Sequence, residues 1–189
     1  MEQKTLKDLA ETEYTFWRFS QSQKGRSDES CYADYNTGLV TESEELELDN
    51  ALSFVSNEDI STCFMYGDVL NKLCFDKSND KFKEIENYPT KRFNNSFREY
   101  KSFKLLVEKQ YSLAKLETIR MIFDMVSNNK QLYVLFAYGD GTGLAGYLKK
   151  WGFAESETLV LFLRSKYTTN TSKAEIMEWI DEYIKENKL

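Results

Sequence analysis

The densest group of glycines in this chain, between residues 139 and 146, has a spacing that suits phosphate binding. Gly141, Gly143 and Gly146 form a G-x-G-x-x-G pattern in a chain of 189 residues with only 8 glycines. Glycines let backbone amides approach a pyrophosphate closely, and the N-terminus of a following helix adds partial positive charge. The pattern therefore predicts a candidate ligand-binding loop, whose residues are Gly139, Asp140, Gly141, Thr142, Gly143 and Gly146.

The surroundings of this loop strengthen the prediction. An apolar run at 132–138, LYVLFAY, predicts a buried strand before it, and residues 144–151 predict a short helix after it. In that setting the loop resembles the dinucleotide-binding fingerprint and is similar to the glycine motif of class I methyltransferases. The resemblance implies an enzyme that binds a nucleotide or S-adenosylmethionine. The sequence departs from these families at Ala137 and Arg164, where an acid would be expected.

The same glycines also suit a tight connection between a strand and a helix, with no ligand. In that interpretation Asp140 and Thr142 cap the helix, and Gly146 lets the helix lie close to a sheet. We favour this interpretation because both acids that the two families use are missing.

A run of acids forms the second candidate site. Thr41 and Glu44 have the spacing of a capping box, and the apolar residues that follow predict a helix over 42–56. Carboxylates on one face of that helix could occupy a basic partner, or could simply complement the helix dipole as a solvated face. The candidate partner-binding residues are Glu42, Glu44, Glu45, Glu47 and Asp49.

Residue types that the chain lacks exclude several mechanisms. It has no histidine, which rules out Ser-His-Asp and Cys-His catalysis and any histidine-ligated zinc site. Cys31, Cys63 and Cys74 are an odd number without CxxC spacing, so neither a disulfide framework nor a structural zinc site is indicated. We expect buried, reduced thiols, no metal ion and no cofactor.

Composition and charge indicate an ordered cytoplasmic protein. The chain is 41% hydrophobic and 15% aromatic, enough for a sizeable core. Its net charge of −6 argues against direct binding to nucleic acid and favours a partner protein with a basic surface. The N-terminus has no apolar core of a signal peptide, and no apolar run is long enough to span a membrane.

We predict an α+β fold, a helix-rich single domain over 1–189 with a helical, loop-rich part at 1–95 and a second part at 96–189. Few glycines and a single proline favour helices. The predicted helices before the glycine loop cover 5–19, 42–56, 58–75 and 96–126, the last being the longest. The aromatic residues at 14–19 could alternatively start a strand, and 96–126 could form two helices instead of one. For 58–75 a hairpin turning at Gly67-Asp68 is the alternative.

The last sixty residues or so predict an alternation of strand and helix. Ser172 and Glu175 have capping-box spacing before a strongly amphipathic segment. This order indicates a small, parallel β element near the C-terminus. The predicted strands are 132–138 and 158–164, and the predicted helices are 144–151 and 172–187.

Three functions remain open from the sequence. The leading hypothesis is a non-enzymatic acidic protein that binds and inhibits a partner, such as an immunity factor or a counter-defence factor of a mobile element. The second is the nucleotide- or S-adenosylmethionine-binding enzyme built on residues 139–146. The third is an oligomeric structural subunit, in which apolar faces of 96–126 or 172–187 pair between copies of the chain.

Overall fold

One large antiparallel sheet dominates the fold. The computed structural model describes residues 4–21, 35–43, 51–94, 98–126, 128–137 and 143–187. Eight strands lie in the order β1-β6-β7-β4-β2-β5-β8-β3, and every neighbouring pair is antiparallel. The strands are β1 (Lys4–Thr5), β2 (Phe16–Ser20), β3 (Val40–Glu42), β4 (Leu52–Ser56), β5 (Val69–Leu73), β6 (Pro89–Asn94), β7 (Glu99–Ser102) and β8 (Lys104–Ser112).

The sheet is strongly curled because β7 and β8 are two halves of one bent strand. Only Phe103 separates them in sequence, yet β7 is third across the sheet and β8 is seventh. β7 pairs with β4 and β6, whereas β8 pairs with β5 and β3. The sheet must therefore curl until these two regions meet at Phe103, which gives a half-barrel.

Helices lie on both faces of the sheet. Two short helices, α1 (Leu6–Ala10) and α2 (Asp80–Ile85), pack on one face. Two 3-10 turns, Asn57–Thr62 and Phe64–Tyr66, follow β4. The other face carries α3 (Leu116–Met125), α4 (Asn129–Phe136), α5 (Leu144–Lys150), α6 (Ala154–Lys166) and α7 (Lys173–Asn187).

The two faces bury separate cores. Phe16, Phe54 and Tyr100 lie together on the α1 face, with ring centroids 5.6 to 5.7 Å apart. This cluster collects side chains from β2, β4, β5, β7 and β8, so the α1 face is the concave one. Trp17 and Phe19 point to the opposite, convex face, because successive strand residues alternate between faces.

The prediction of a helix-rich fold with a small parallel β element is wrong. In the two apolar runs predicted as strands, residues 132–136 belong to α4 and residues 158–164 to α6. In α6 the buried residues Leu159, Val160 and Leu163 follow helical spacing, whereas Leu161 is 44% exposed. A short continuous apolar run fits a buried strand and a buried helix equally well, and here tertiary packing selects the helix.

The predicted long helix over 96–126 is also wrong. Residues 99–112 form β7 and β8, and the helical part is α3 alone. Leu105, Leu106 and Val107 are consecutive and all buried. Some of these apolar residues happen to match helical spacing in the sequence, although they lie on a strand. The helix over 42–56 fails in the same way, since its described ends belong to β3 and β4.

Two further N-terminal predictions are corrected. Within 5–19 the helix is α1 alone, and the aromatic residues that follow form β2. Residues 58–75 are neither one helix nor a hairpin at Gly67-Asp68, because β5 pairs with β2 and β8. A Cβ at Gly67 would lie 2.0 Å from the carbonyl oxygen of Ser20, so this close approach of two backbones requires glycine.

Other predictions are confirmed. The helix at 144–151 is α5, and Gly152 follows it with a φ of 77°. The helix at 172–187 is α7. Its capping box is present: the Ser172 hydroxyl accepts a hydrogen bond from the Glu175 amide at 3.2 Å, and the Glu175 carboxylate accepts one from the Ser172 amide at 2.8 Å.

Candidate functional site

The glycine loop does not have the setting that a nucleotide fingerprint requires. Gly139, Asp140, Gly141 and Thr142 lie outside the described residues, and the segment before them is the helix α4. Gly143 precedes α5, where an added Cβ would lie 2.5 Å from the carbonyl oxygen of Ala137. Gly143 thus allows close packing of two backbone segments, and Gly146 lies inside α5. Arg164 lies on α6, so it does not end a strand beside the loop.

The acidic run begins on an edge strand of the sheet. Glu42 is the last residue of β3 and forms an ion pair with Lys104 on β8. The helix whose dipole would explain the acids is therefore absent at Glu42. The remaining candidates, Glu44, Glu45, Glu47 and Asp49, lie outside the described residues.

The described residues on either side of these acids are held close to the bend in the sheet. The amide of Ser43 donates to the carbonyl oxygen of Phe103 at 2.8 Å, and Leu52 pairs with Ser102. Ser43 and Leu52 therefore both lie beside the junction of β7 and β8.

Charge is distributed unevenly along the sequence. The described residues contain as many Lys and Arg as Asp and Glu, so the net charge of −6 arises from the other segments. Residues 44–50 contribute four acids and no base. The acidity of this chain is therefore largely local, concentrated where the chain passes from β3 to β4.

A row of polar side chains crosses the concave face, and no sequence pattern indicates it. Arg18 on β2 pairs with Asn71 on β5, which pairs with Gln110 on β8. The amide nitrogen of Asn71 donates to the Arg18 carbonyl at 3.0 Å and to the Ser20 hydroxyl at 2.8 Å. Gln110 donates to the Asn71 side-chain oxygen and to the backbone carbonyl of Tyr35, each at 2.8 Å. These residues connect three strands and fix the position of Tyr35.

Arg18 is the charged member of this row. One terminal nitrogen donates to the carbonyl oxygen of Ser53, and the guanidinium carbon lies 4.7 Å from the centroid of the Tyr35 ring. Nε of Arg18 is buried without a hydrogen-bond partner, and the guanidinium interacts with the hydroxyl of Tyr35. Among the described residues Arg18 forms no ion pair. Burial raises the pKa of Tyr35 to about 12, so its hydroxyl stays protonated at neutral pH.

An open cavity of about 470 Å³ is lined by Gly38, Cys74, Leu106 and Val107 among others. Its polar lining groups already have partners within the chain. Asn79 caps α2, Asp80 pairs with Lys83 at 2.7 Å, Lys81 donates to the Gly38 carbonyl and Glu108 pairs with Lys72 at 2.8 Å. The cavity therefore presents little unused polar chemistry.

The described cysteines are poorly suited to nucleophilic chemistry. Cys63 and Cys74 are buried, and burial raises the pKa of Cys63 to about 11 and that of Cys74 above its usual range. Both thiols thus stay protonated at neutral pH. Within the described ranges no group of His, Cys, Asp and Glu side chains is placed to hold a metal ion, and no helix is both long and apolar enough to cross a bilayer.

Neither the acidic run nor the concave polar row can be interpreted through relatives. No family model, curated protein or solved structure significantly matches this chain, so its function has to be argued from its own residues.

Proposed function

We propose that this chain is a non-enzymatic interaction protein, which binds a basic partner protein through its acidic run and inhibits that partner. The uneven distribution of charge carries the proposal. The described residues have a net charge of zero, counting Lys, Arg, Asp and Glu. The four acids of residues 44–50 therefore stand out as a local excess of negative charge. A local acidic segment on a balanced protein attracts a basic surface in a defined orientation.

The anchoring of the flanking residues supports the same proposal. Ser43 and Leu52, the described residues that flank the acids, are both fixed beside the bend at Phe103. A partner that contacts these flanking residues meets a preformed surface, which lowers the entropy that binding costs. Glu42, already paired with Lys104, is the member of the run that contributes least to a new partner.

The chemistry of the chain is consistent with a binding role. Histidine, the usual general base near neutral pH, is absent from the sequence. The described thiols are buried with raised pKa values. A small protein that blocks a basic active site or nucleic-acid-binding surface, as immunity and counter-defence factors do, needs only an acidic surface of suitable shape.

The test uses a variant in which Glu44, Glu45 and Glu47 are changed to Gln. The partner is first captured from native cells on the wild-type protein, and its dissociation constant is then measured for each variant at low and moderate salt. Three lost charge contacts should weaken binding about 10- to 100-fold and should reduce the salt dependence. The activity of the captured partner should fall when the wild-type protein is added.

A matched control separates the acidic run from total charge. The control variant carries three Glu→Gln changes on exposed positions of α7, at Glu178, Glu182 and Glu186. Both variants change the net charge by the same amount, but we expect the control to bind like the wild type. Equal binding by the two variants would overturn the proposal.

A further inference from the structure

The open cavity between β8 and the start of α2 is a candidate binding site in its own right. We propose that it binds an uncharged small molecule, which has an apolar body of at least one ring and a single acceptor oxygen. This site is separate from the acidic run and does not depend on the proposed function.

The floor of the cavity is apolar. Leu106 and Val107 on β8 are buried, and so is Cys74, which follows β5. The amide of Cys74 donates to the carbonyl oxygen of Leu106 at 2.8 Å, so these two segments are held side by side. An apolar floor favours a ligand with an apolar body, because contact between them removes both surfaces from water.

Two fixed segments form the walls of the cavity. In the turn at 36–39, the amide of Gly38 donates to the carbonyl oxygen of Val107 at 2.8 Å. The second wall is the start of α2, where the side chain of Asn79 accepts a hydrogen bond from the Lys81 amide at 3.0 Å. Nζ of Lys81 donates to the carbonyl oxygen of Gly38 and so connects the two walls. The cavity is therefore preformed, which lowers the entropy that binding costs.

The cavity has room for a small organic molecule. Its volume of about 470 Å³ lies within the range of roughly 300–1,000 Å³ that is typical of ligand pockets. A Cβ placed on Gly38 would meet no heavy atom within 4 Å, so the space around this lining residue is unfilled. Because a cavity of about 150 Å³ is enough to hold benzene, a molecule with one ring or more fits here.

The charges around the cavity balance, which favours an uncharged ligand. Glu108 pairs with Lys72 at 2.8 Å, and Asp80 pairs with Lys83 at 2.7 Å. The described ionic side chains here are three acids and three bases, namely Asp76, Asp80, Glu108, Lys72, Lys81 and Lys83. A charged ligand would therefore lose part of its hydration without meeting a matching excess of charge.

Lys81 supplies the donor for a polar group of the ligand. Its side chain is exposed, and its ammonium carries three hydrogens, of which the Gly38 carbonyl accepts one. An acceptor oxygen on the ligand can therefore receive a hydrogen bond from Lys81 while the connection between the two walls is kept.

Binding of four small aromatic compounds tests the proposal. Toluene and benzyl alcohol are uncharged, benzoate is the anionic analogue and benzylammonium is the cationic one. Dissociation constants are measured by titration of the amide NMR shifts of the protein at constant ionic strength. We expect benzyl alcohol to bind in the millimolar range, about fivefold or more tightly than either ion.

Two lysine variants of α2 make the test specific to the cavity. Lys81→Met keeps the apolar stem and removes the proposed donor, whereas Lys83→Met makes the same change at another exposed position of the helix. Lys81→Met should weaken the binding of benzyl alcohol about fivefold. It should leave the binding of toluene, which has no acceptor, nearly unchanged. Lys83→Met should affect neither compound.

The two described thiols give an independent measure of where the probe binds. Cys74 lines the cavity, whereas Cys63 belongs to the convex core. Benzyl alcohol should slow the alkylation of Cys74 by iodoacetamide at alkaline pH and leave that of Cys63 unchanged, as followed by mass spectrometry of the labelled peptides. If benzyl alcohol does not bind, if either ion binds as tightly, or if both lysine variants respond alike, the proposal fails.

Discussion

The convex and concave faces of the sheet are buried by different means. On the convex face, Trp17 and Phe19 contact a helical layer whose buried residues are almost all apolar. On the concave face, an aromatic cluster adjoins Arg18, Asn71 and Gln110, which are connected by hydrogen bonds. The first arrangement depends on shape and volume, and the second depends also on whether every polar atom has a partner.

This difference predicts that the two faces respond differently to substitution. An apolar core tolerates exchange between side chains of similar volume, whereas Asn71, the buried member of the polar row, holds partners that lose free energy when it is removed. The convex face holds the larger of the two buried apolar clusters. The concave face carries the polar row of Arg18, Asn71 and Gln110 beside its aromatic cluster.

The largest effect should come from the apolar side. Leu163 is 0% exposed and Leu161 is 44% exposed, on the same helix α6. Leu163→Ala should lower the free energy of unfolding by about 2–5 kcal/mol because it leaves a cavity in the core. Leu161→Ala should change it by less than about 0.5 kcal/mol. Urea unfolding of the two variants measures this contrast, and similar losses would contradict a helix at this position.

A smaller effect, which depends on hydrogen bonding more than on volume, is expected on the concave side. Asn71→Ala should lower the free energy of unfolding by about 1–3 kcal/mol, because Gln110 and Ser20 each lose a hydrogen-bond partner. Asn71→Leu should not restore the loss, although it fills the volume. By contrast, Leu159→Met in the convex core should cost less than about 1.5 kcal/mol. A fully stable Asn71→Leu variant would show that the polar row is not what specifies this face.

The edge of the helical layer supplies the third prediction. Ser172→Ala removes the cap of α7 and should cost about 1 kcal/mol. Hydrogen bonds from the Ser172 amide and hydroxyl hold the pKa of Glu175 below its usual range. The contribution of Glu175 is therefore present at neutral pH and is lost as the pH falls through that lowered pKa. The difference in free energy of unfolding between wild type and Glu175→Gln should shrink on acidification. Glu178→Gln, on the same helix, is the control for a general effect of charge.

The smallest effect is expected at the surface of the helical layer. Arg120 on α3 forms two hydrogen bonds to Asp181 on α7, at 2.5 and 3.1 Å, and both side chains are largely exposed. Asp181→Asn should cost less than about 1 kcal/mol, and the cost should decrease further at high salt. A larger or salt-independent loss would show that this ion pair contributes substantially to the stability of the helical layer.

The sequence predicted the C-terminal helices better than the sheet for a physical reason. The helix α7 has an amphipathic pattern and a local capping box at Ser172, and both are visible within a few residues. The runs that became α4 and α6 are apolar on neighbouring positions, so their local composition fits a strand as well. The fold class was wrong because a curled antiparallel sheet is specified by pairings between distant residues.

The polar row on the concave face was missed for the same reason. Asn71 donates to a residue 53 positions away and accepts from one 39 positions away. No local spacing connects Arg18, Asn71 and Gln110 before the strands are placed side by side. A single arginine among the aromatic residues of β2 matches no known motif. The glycine pattern does match a known motif, but a helix precedes it where the motif requires a strand.

The bent strand that joins β7 to β8 has a consequence for how the protein opens. Because one stretch of chain, 99–112, pairs with β4 and β6 at one end and with β5 and β3 at the other, neither end of the curl can detach independently of the other. Amide hydrogens on both halves should exchange with solvent as one cooperative unit, at rates close to those of global unfolding. The dipeptide edge strand β1, paired with β6 alone, should exchange much sooner.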